Sequence, residues 1–95
     1  FLIIGSGAAE SYHMRWLLDH LPDDGSVDLV SLNLELVGLS LAGPKSRSVL
    51  QACTAHDISH GAMKFMSVRE IDIGMVPAIV GRVSFTGDLG YEIWA

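Results

Sequence analysis

The fourteen residues 82–95, RVSFTGDLGYEIWA, predict a strand, a turn and a second strand. Val83 and Phe85 alternate with polar neighbours, which is the period of a half-buried strand. Two glycines and an aspartate interrupt the pattern at 86–90, and these residue types favour tight reversals of the backbone. The next strand follows at once and places Glu92 between bulky side chains. A carboxylate beside aromatic rings near a glycine turn suits a flat ligand with a polar edge.

The preceding sequence predicts further strands and two helices. Continuous apolar residues at 1–4 predict a buried strand, strand-like residues at 27–32 predict a second strand, and clean alternation at 37–41 predicts a third. A helix is expected at 8–21 because an apolar stripe recurs at helical spacing. That stripe consists of Met14, Leu17, Leu18 and Leu21.

A second helix is expected to begin at Gly43-Pro44, since proline is tolerated at the first helical position. Val49, Leu50 and Cys53 form its predicted buried side, which would make the thiol inert. The stretch 54–64 has no sustained period and predicts a loop.

Two strands, 65–73 and 76–85, complete the pattern upstream of the closing strand. Gly74-Met75 joins them, and glycine at the first turn position favours a two-residue hairpin of type II′. The predicted order is β-α-β-β-α-β-β, followed by a last strand that begins at Tyr91. This order indicates an α+β fold of ferredoxin-like character, with an antiparallel or mixed sheet and two helices on one face.

Composition narrows the possible functions. Ninety-five residues make at most one small domain, and the net charge of −5 argues against nucleic-acid binding. No apolar run approaches the roughly 20 residues of a membrane span. The single cysteine excludes an intrachain disulfide. The chain begins inside an apolar run without methionine and ends within a strand, so we expect it to be a piece of a larger protein.

Three other motifs are weak evidence of a binding site. Residues 5–10, GSGAAE, imitate a dinucleotide fingerprint, but Glu10 stands where the third glycine is needed and would repel a pyrophosphate. His56 and His60 lack a third metal ligand, so solvated histidines are expected. Lys45 and Arg47 are expected to be solvated surface charges.

Three stretches resemble the aminomethyltransferase superfamily, which includes the glycine-cleavage T-protein and the folate-binding halves of dimethylglycine and sarcosine dehydrogenases. They are LAGPKSR at 41–47, FMSVREI at 65–71 and SFTGDLGYEI at 84–93. The Ser-Arg after Gly-Pro and the Leu-Gly-Tyr-Glu ending look closer to the dehydrogenase branch. The resemblance implies that 1–95 is a single partial domain, the central part of a folate-binding region.

This resemblance also implies a binding site. Glu92 would bind the pterin ring of tetrahydrofolate, and Phe85 would line the same pocket. The family usually has tyrosine where Phe85 stands, so only ring packing remains there. Ile93 and Trp94 follow Glu92 and are expected to contact the ligand. The proton-handling aspartate of the family has no counterpart in this sequence, so no catalytic residue is assigned.

The function implied by the resemblance is one-carbon transfer. In this reaction an N-methylated glycine donates a one-carbon unit to tetrahydrofolate, which becomes 5,10-methylenetetrahydrofolate. FAD would belong to a separate domain outside these residues. The expected partners are folate, the methylated amine and the remaining domains of the same protein, without nucleic acid, membrane or metal. The compartment would be the cytoplasm in a bacterium and the mitochondrial matrix in a eukaryote.

Three alternatives remain open. The chain could belong to a free-standing glycine-cleavage T-protein. It could belong to a non-catalytic folate-binding relative with a regulatory or repair role, or to a scaffold domain that has lost its pocket.

Overall fold

The computed structural model describes residues 1–95, which form two compact units, Phe1–Glu35 and Leu36–Ala95. The first unit contains a 3-10 turn, Gly7–Ala9, followed by helix α1, Glu10–Leu18. The second unit contains one helix and the whole sheet. Its elements are β1 (Gly38–Ala42), α2 (Ser46–Ala52), β2 (Val68–Ile73), β3 (Val76–Gly81) and β4 (Gly90–Trp94).

The four strands form one antiparallel sheet in the order β1-β4-β3-β2. Strands β2, β3 and β4 lie side by side in chain order. Strand β1, which comes first in the chain, pairs with β4, and this is the strand order of a Greek key. Two helices and an antiparallel sheet confirm the α+β class. The observed element order is α-β-α-β-β-β, which has two strands fewer than predicted.

The two missing strands are the predicted ones at 1–4 and 27–32, which have no regular secondary structure. A strand requires a neighbour that satisfies its backbone N–H and C=O groups. Neither stretch pairs with another segment of the chain, so neither forms a strand. The predicted helix at 8–21 is also longer than α1, and Leu18 of its expected apolar stripe is 52% exposed.

The hairpin between β2 and β3 has the predicted form. Ile73 pairs with Val76, so Gly74 and Met75 make a two-residue loop. Gly74 has φ of 62° whereas Met75 does not enter the left-handed region, as a type II′ turn requires. Strand β2 begins at Val68 rather than at residue 65. The positive φ of Met66, 64°, interrupts the extended backbone before it.

The core lies on the face of the sheet that helix α2 covers, which we call the inner face. Alternate residues of β2, β3 and β4 point to this face and meet Leu50 of α2. The strand residues of this cluster are Ile71, Ala78, Val80, Tyr91 and Ile93.

The loop 54–64 contributes to the same core. Ile58 and Met63 are fully buried, although neither belongs to a helix or a strand. The Thr54 hydroxyl fixes the start of the loop by donating to the Asp72 carbonyl oxygen at 2.6 Å. The Asp57 carboxylate accepts from the Ser59 backbone N–H at 2.8 Å, and this bond holds the pKa of Asp57 below its ordinary value.

Helix α2 buries a narrower side than predicted. Ser46 and Leu50, one turn apart, are its buried residues, and the Ser46 hydroxyl donates to the Leu89 carbonyl oxygen at 3.0 Å. Val49 is 51% exposed, and Cys53 is exposed at the C-terminal cap. The prediction of a buried thiol was therefore wrong. A helix of only seven residues presents little more than two side chains to the sheet.

Candidate functional site

Strand β4 divides the predicted site residues between the two faces of the sheet. Side chains alternate along a strand, so Tyr91 and Ile93 point to the inner face while Glu92 and Trp94 point away from it. We call this second face the outer face. Residues that pair across strands share a face, so Ser40 of β1 and Ile79 of β3 also belong to the outer face.

The indole of Trp94 lies on the outer face and reaches both strands that flank β4. A Cβ atom placed on Gly38 of β1 would lie 3.4 Å from indole Cδ1, and one placed on Gly81 of β3 would lie 3.3 Å from indole Cζ3. The two ends of the indole therefore rest on glycines of the two strands that flank β4. Because neither glycine carries a side chain, the indole lies close to the backbone of both strands.

Glu92 lies beside this ring on the same face. It pairs with Ser40 on one side and with Gly81 on the other. No ion pair or side-chain hydrogen bond within the chain engages its carboxylate. Both carboxylate oxygens thus remain able to accept hydrogen bonds from a ligand.

The structure separates the other two predicted site residues from this pair. Ile93 is 7% exposed and belongs to the core on the inner face. Phe85 is fully exposed in the segment between β3 and β4, so its ring packs against no other side chain. Glu92 and Trp94 are consequently the two predicted residues that the fold brings together.

An open depression of about 340 Å³ continues the outer face from Trp94 towards the edge strand β2. Its floor and walls combine apolar side chains with carboxylates. Its lining includes Leu36, Glu70, Asp72, Pro77, Ile79 and Trp94. His56 also borders it, with Nε2 3.6 Å from Asp72 Oδ2. Sequence reasoning missed this depression, although the predicted hairpin register would have placed Glu70 opposite Ile79.

Arg47 holds the strand that carries the site. Its Nε donates to the Tyr91 hydroxyl at 2.9 Å, and Tyr91 is fully buried next to Glu92. Another guanidinium nitrogen of Arg47 is buried without a partner. The prediction of a solvated charge was therefore wrong for Arg47, whereas Lys45 is exposed as expected.

Other chemistry has little structural basis in this chain. A 3-10 turn rather than a strand–helix junction occupies the GSGAAE stretch, since no strand precedes it. No cluster of three or more potential ligands is placed to hold a metal ion. Neither helix is long and apolar enough to span a bilayer.

Comparison with known proteins identifies similar sequences. The model of the GCVT N-terminal domain matches residues 1–95. Human mitochondrial dimethylglycine dehydrogenase is 33% identical over 95 residues, which are 99% of this chain and 11% of the human protein. An aminomethyltransferase from Geobacillus sp. (strain WCH70) is 38% identical over 95 residues, 99% of this chain and 25% of that enzyme.

A further aminomethyltransferase, from Bacillus cereus (strain B4264), is 31% identical over 94 residues, covering 98% of this chain and 24% of that protein. The chain therefore spans between about a tenth and a quarter of the length of these relatives.

Proposed function

Because this chain belongs to the family of GCVT N-terminal domains, we propose that it binds tetrahydrofolate on the outer face of its sheet. The relatives are enzymes of one-carbon chemistry, named dimethylglycine dehydrogenase and aminomethyltransferase. The chain would serve the one-carbon-transfer step of such an enzyme. The observation that supports this proposal best is the free carboxylate of Glu92 beside the flat indole of Trp94.

The outer face matches the two chemical features of a pterin. A pterin is a flat ring whose 2-amino and N3 groups form a donor edge, and a carboxylate can accept two parallel hydrogen bonds from such an edge. The Trp94 ring, which is only partly buried, would offer a surface for offset stacking. Glu92, whose carboxylate has no partner within the chain, lies two residues from Trp94 on the same face of β4. Its carboxylate would therefore contact the same ligand as the Trp94 ring.

The chain's own residues would contribute binding and orientation. Glu92 would fix the pterin edge, Trp94 would support the ring, and Phe85 could close over it from the preceding segment. Ile93 would act from the core, by anchoring β4, rather than by touching the ligand. Correct alignment of two reactants can be worth about 7–11 kcal/mol of a reaction barrier. Bound tetrahydrofolate would supply the N5 nucleophile that accepts the one-carbon unit.

Two versions of the enzyme remain as candidates. Similarity to dimethylglycine dehydrogenase favours an N-methylated glycine as donor and a separate FAD domain as oxidant. The 38% identity to an aminomethyltransferase favours a T-protein without flavin. Adding N,N-dimethylglycine to the full-length protein separates these versions, because bleaching of a flavin absorbance band is expected only for the dehydrogenase type.

Tryptophan fluorescence tests folate binding directly. The chain has two tryptophans, and Trp16 stacks on His20 in the first unit, with ring centroids 4.0 Å apart. In a Trp16→Phe variant, we expect folate to quench the emission of Trp94 saturably. The dissociation constant should be weaker than micromolar, since micromolar affinity requires about 8 kcal/mol and one wall of a pocket supplies less.

The matched control is Trp94→Phe, in which only Trp16 emits. Saturable quenching in this control, or none in Trp16→Phe at millimolar folate, would contradict the proposed position of the pterin. Micromolar affinity of residues 1–95 would show that the site is more complete than we propose.

Gly81→Val tests the glycine support of the indole. A Cβ at this position already lies 3.3 Å from the ring, so the larger valine side chain should displace it. We expect folate affinity to fall about two- to tenfold, which corresponds to the 0.5–1.5 kcal/mol of an aromatic stacking contact. Gly61→Val is the control, because nothing lies within 4 Å of a Cβ there. Equal affinities of the two variants would exclude stacking on Trp94.

A further inference from the structure

Strand β4 is held less firmly at its start than along the rest of its length. Strand β3 pairs with β4 only as far as Glu92, so Tyr91 and Gly90 have a neighbouring strand on the β1 side alone. The segment 82–89 that leads into β4 forms no helix and no strand. Glu92 therefore occupies the last position at which both flanking strands support β4.

Helix α2 and the turn before it tether this end of β4. The Gly43 N–H and the Ser46 hydroxyl both donate to the Leu89 carbonyl oxygen, at 2.8 and 3.0 Å. The Nε of Arg47 donates to the Tyr91 hydroxyl at 2.9 Å. The first two bonds fix the backbone just before β4, whereas the Arg47 bond holds the end of a side chain that belongs to β4 itself.

The Arg47 bond is better suited to orienting β4 than to stabilising the fold. Another guanidinium nitrogen of Arg47 is buried without a partner. The cost of an unpaired buried donor is of the same order as the gain from a hydrogen bond that involves a charged group, so the two nearly cancel. Arg47 therefore contributes little net stability, and its remaining effect is to fix the Tyr91 ring.

Rotation of β4 about its own axis couples the two faces of the sheet. Successive side chains of a strand point in opposite directions, so a rotation that moves Tyr91 on the inner face also turns Glu92 on the outer face. The hydroxyl is the part of the Tyr91 side chain farthest from the backbone, so a bond at this atom resists such a rotation best. Arg47 makes its bond at this atom.

From this arrangement we propose that Arg47 is a positioning residue of the folate site, which sets the direction of the Glu92 carboxylate through Tyr91. This role rests on the proposed function, since Glu92 must accept hydrogen bonds from the pterin. Arg47 acts from the inner face and does not contact folate. Its removal should therefore weaken folate binding less than Glu92→Gln does, because the carboxylate is misdirected but not lost.

Calorimetric titration of the full-length protein with tetrahydrofolate tests this role. Arg47→Met and Tyr91→Phe each delete one partner of the bond, and each should raise the dissociation constant about three- to tenfold. The double variant should lose no more affinity than either single variant, because both substitutions remove the same bond. In Arg47→Lys, the ammonium can also donate to the Tyr91 hydroxyl, so affinity should return to within about twofold of the parent.

A merely structural role is distinguished by Arg47→Met in the Glu92→Gln background. The further loss should be less than about twofold there, since no carboxylate remains to be directed. Lys45→Met is the matched control, because it removes a positive charge from an exposed side chain two residues from Arg47. It should bind folate as the parent does, and circular dichroism and thermal unfolding should show that all variants remain folded.

Two results would overturn the role of Arg47. One is parent affinity in both Arg47→Met and Tyr91→Phe, and the other is an equal loss in the presence and absence of the Glu92 carboxylate. If Glu92→Gln weakens folate binding in the same experiment, the folate site survives either result. Unchanged affinity in Glu92→Gln would instead refute the folate site, and the role of Arg47 with it.

Discussion

Replacement of Met63 by alanine should lower the free energy of unfolding by about 2–5 kcal/mol, the range for truncation of a buried large side chain. Met63 is fully buried against the sheet, so the substitution removes apolar contacts and leaves a cavity. In a small domain, 1 kcal/mol shifts the thermal midpoint by roughly 4–8 °C. The expected fall is therefore about 8–40 °C, which follows from the same scaling.

Met75→Ala is the matched control. Met75 is 99% exposed at the tip of the β2–β3 hairpin, so the same chemical change should alter stability by no more than about 0.5 kcal/mol. Thermal and urea unfolding of both variants beside the parent are the measurements. A similar small effect in both would mean that the loop 54–64 does not anchor the core.

Met63 also illustrates what sequence patterns cannot reveal. A loop residue has no periodic neighbours, so nothing local distinguishes the buried Met63 from the exposed Met66 three residues later. The Thr54 bond to Asp72, which joins residues 18 positions apart, attaches the start of the loop to strand β2. By contrast, Gly74 and alternating flanks encode the β2–β3 hairpin locally, and the prediction of its turn was confirmed.

The incorrect strand predictions have a related origin. The stretch at 1–4 is as apolar as a buried strand, but a strand also needs a pairing partner that its own sequence does not specify. Similarly, Cys53 falls at helical spacing from Val49, yet α2 ends at Ala52 and leaves both side chains exposed. Periodicity identifies the apolar residues, whereas pairing and helix length decide which of them are covered.

The candidate site was predictable in part. Alternation within β4 places Glu92 and Trp94 on one face and Ile93 on the other, and this division could have been inferred from the sequence. The position of the indole could not, because it depends on Gly38 and Gly81 from strands 56 and 13 residues away in sequence. Long-range register thus creates the flat surface beside Glu92.

Glu92→Gln in the full-length protein should weaken folate binding by about 1.5–3 kcal/mol, the range for a hydrogen bond to a charged group. This corresponds to roughly 10- to 150-fold in the dissociation constant at 1.4 kcal/mol per decade. The substitution keeps the shape of the side chain but replaces one acceptor oxygen with a donor that would face a pterin N–H. Thermal stability should barely change, because no group within the chain engages the Glu92 carboxylate.

Asp88→Asn is the control for this variant, since Asp88 is an exposed carboxylate in the preceding turn that accepts only a 3.3 Å bond from the Thr86 hydroxyl. Its folate affinity should match the parent. If the protein is of the dehydrogenase type, Glu92→Gln should spare flavin reduction by the amine and increase release of free formaldehyde, because only capture of the one-carbon unit is impaired. Calorimetry, thermal unfolding and formaldehyde assays of both variants provide the comparison. Unchanged folate affinity in Glu92→Gln, or a large fall in its thermal midpoint, would identify Glu92 as a structural residue and refute the site.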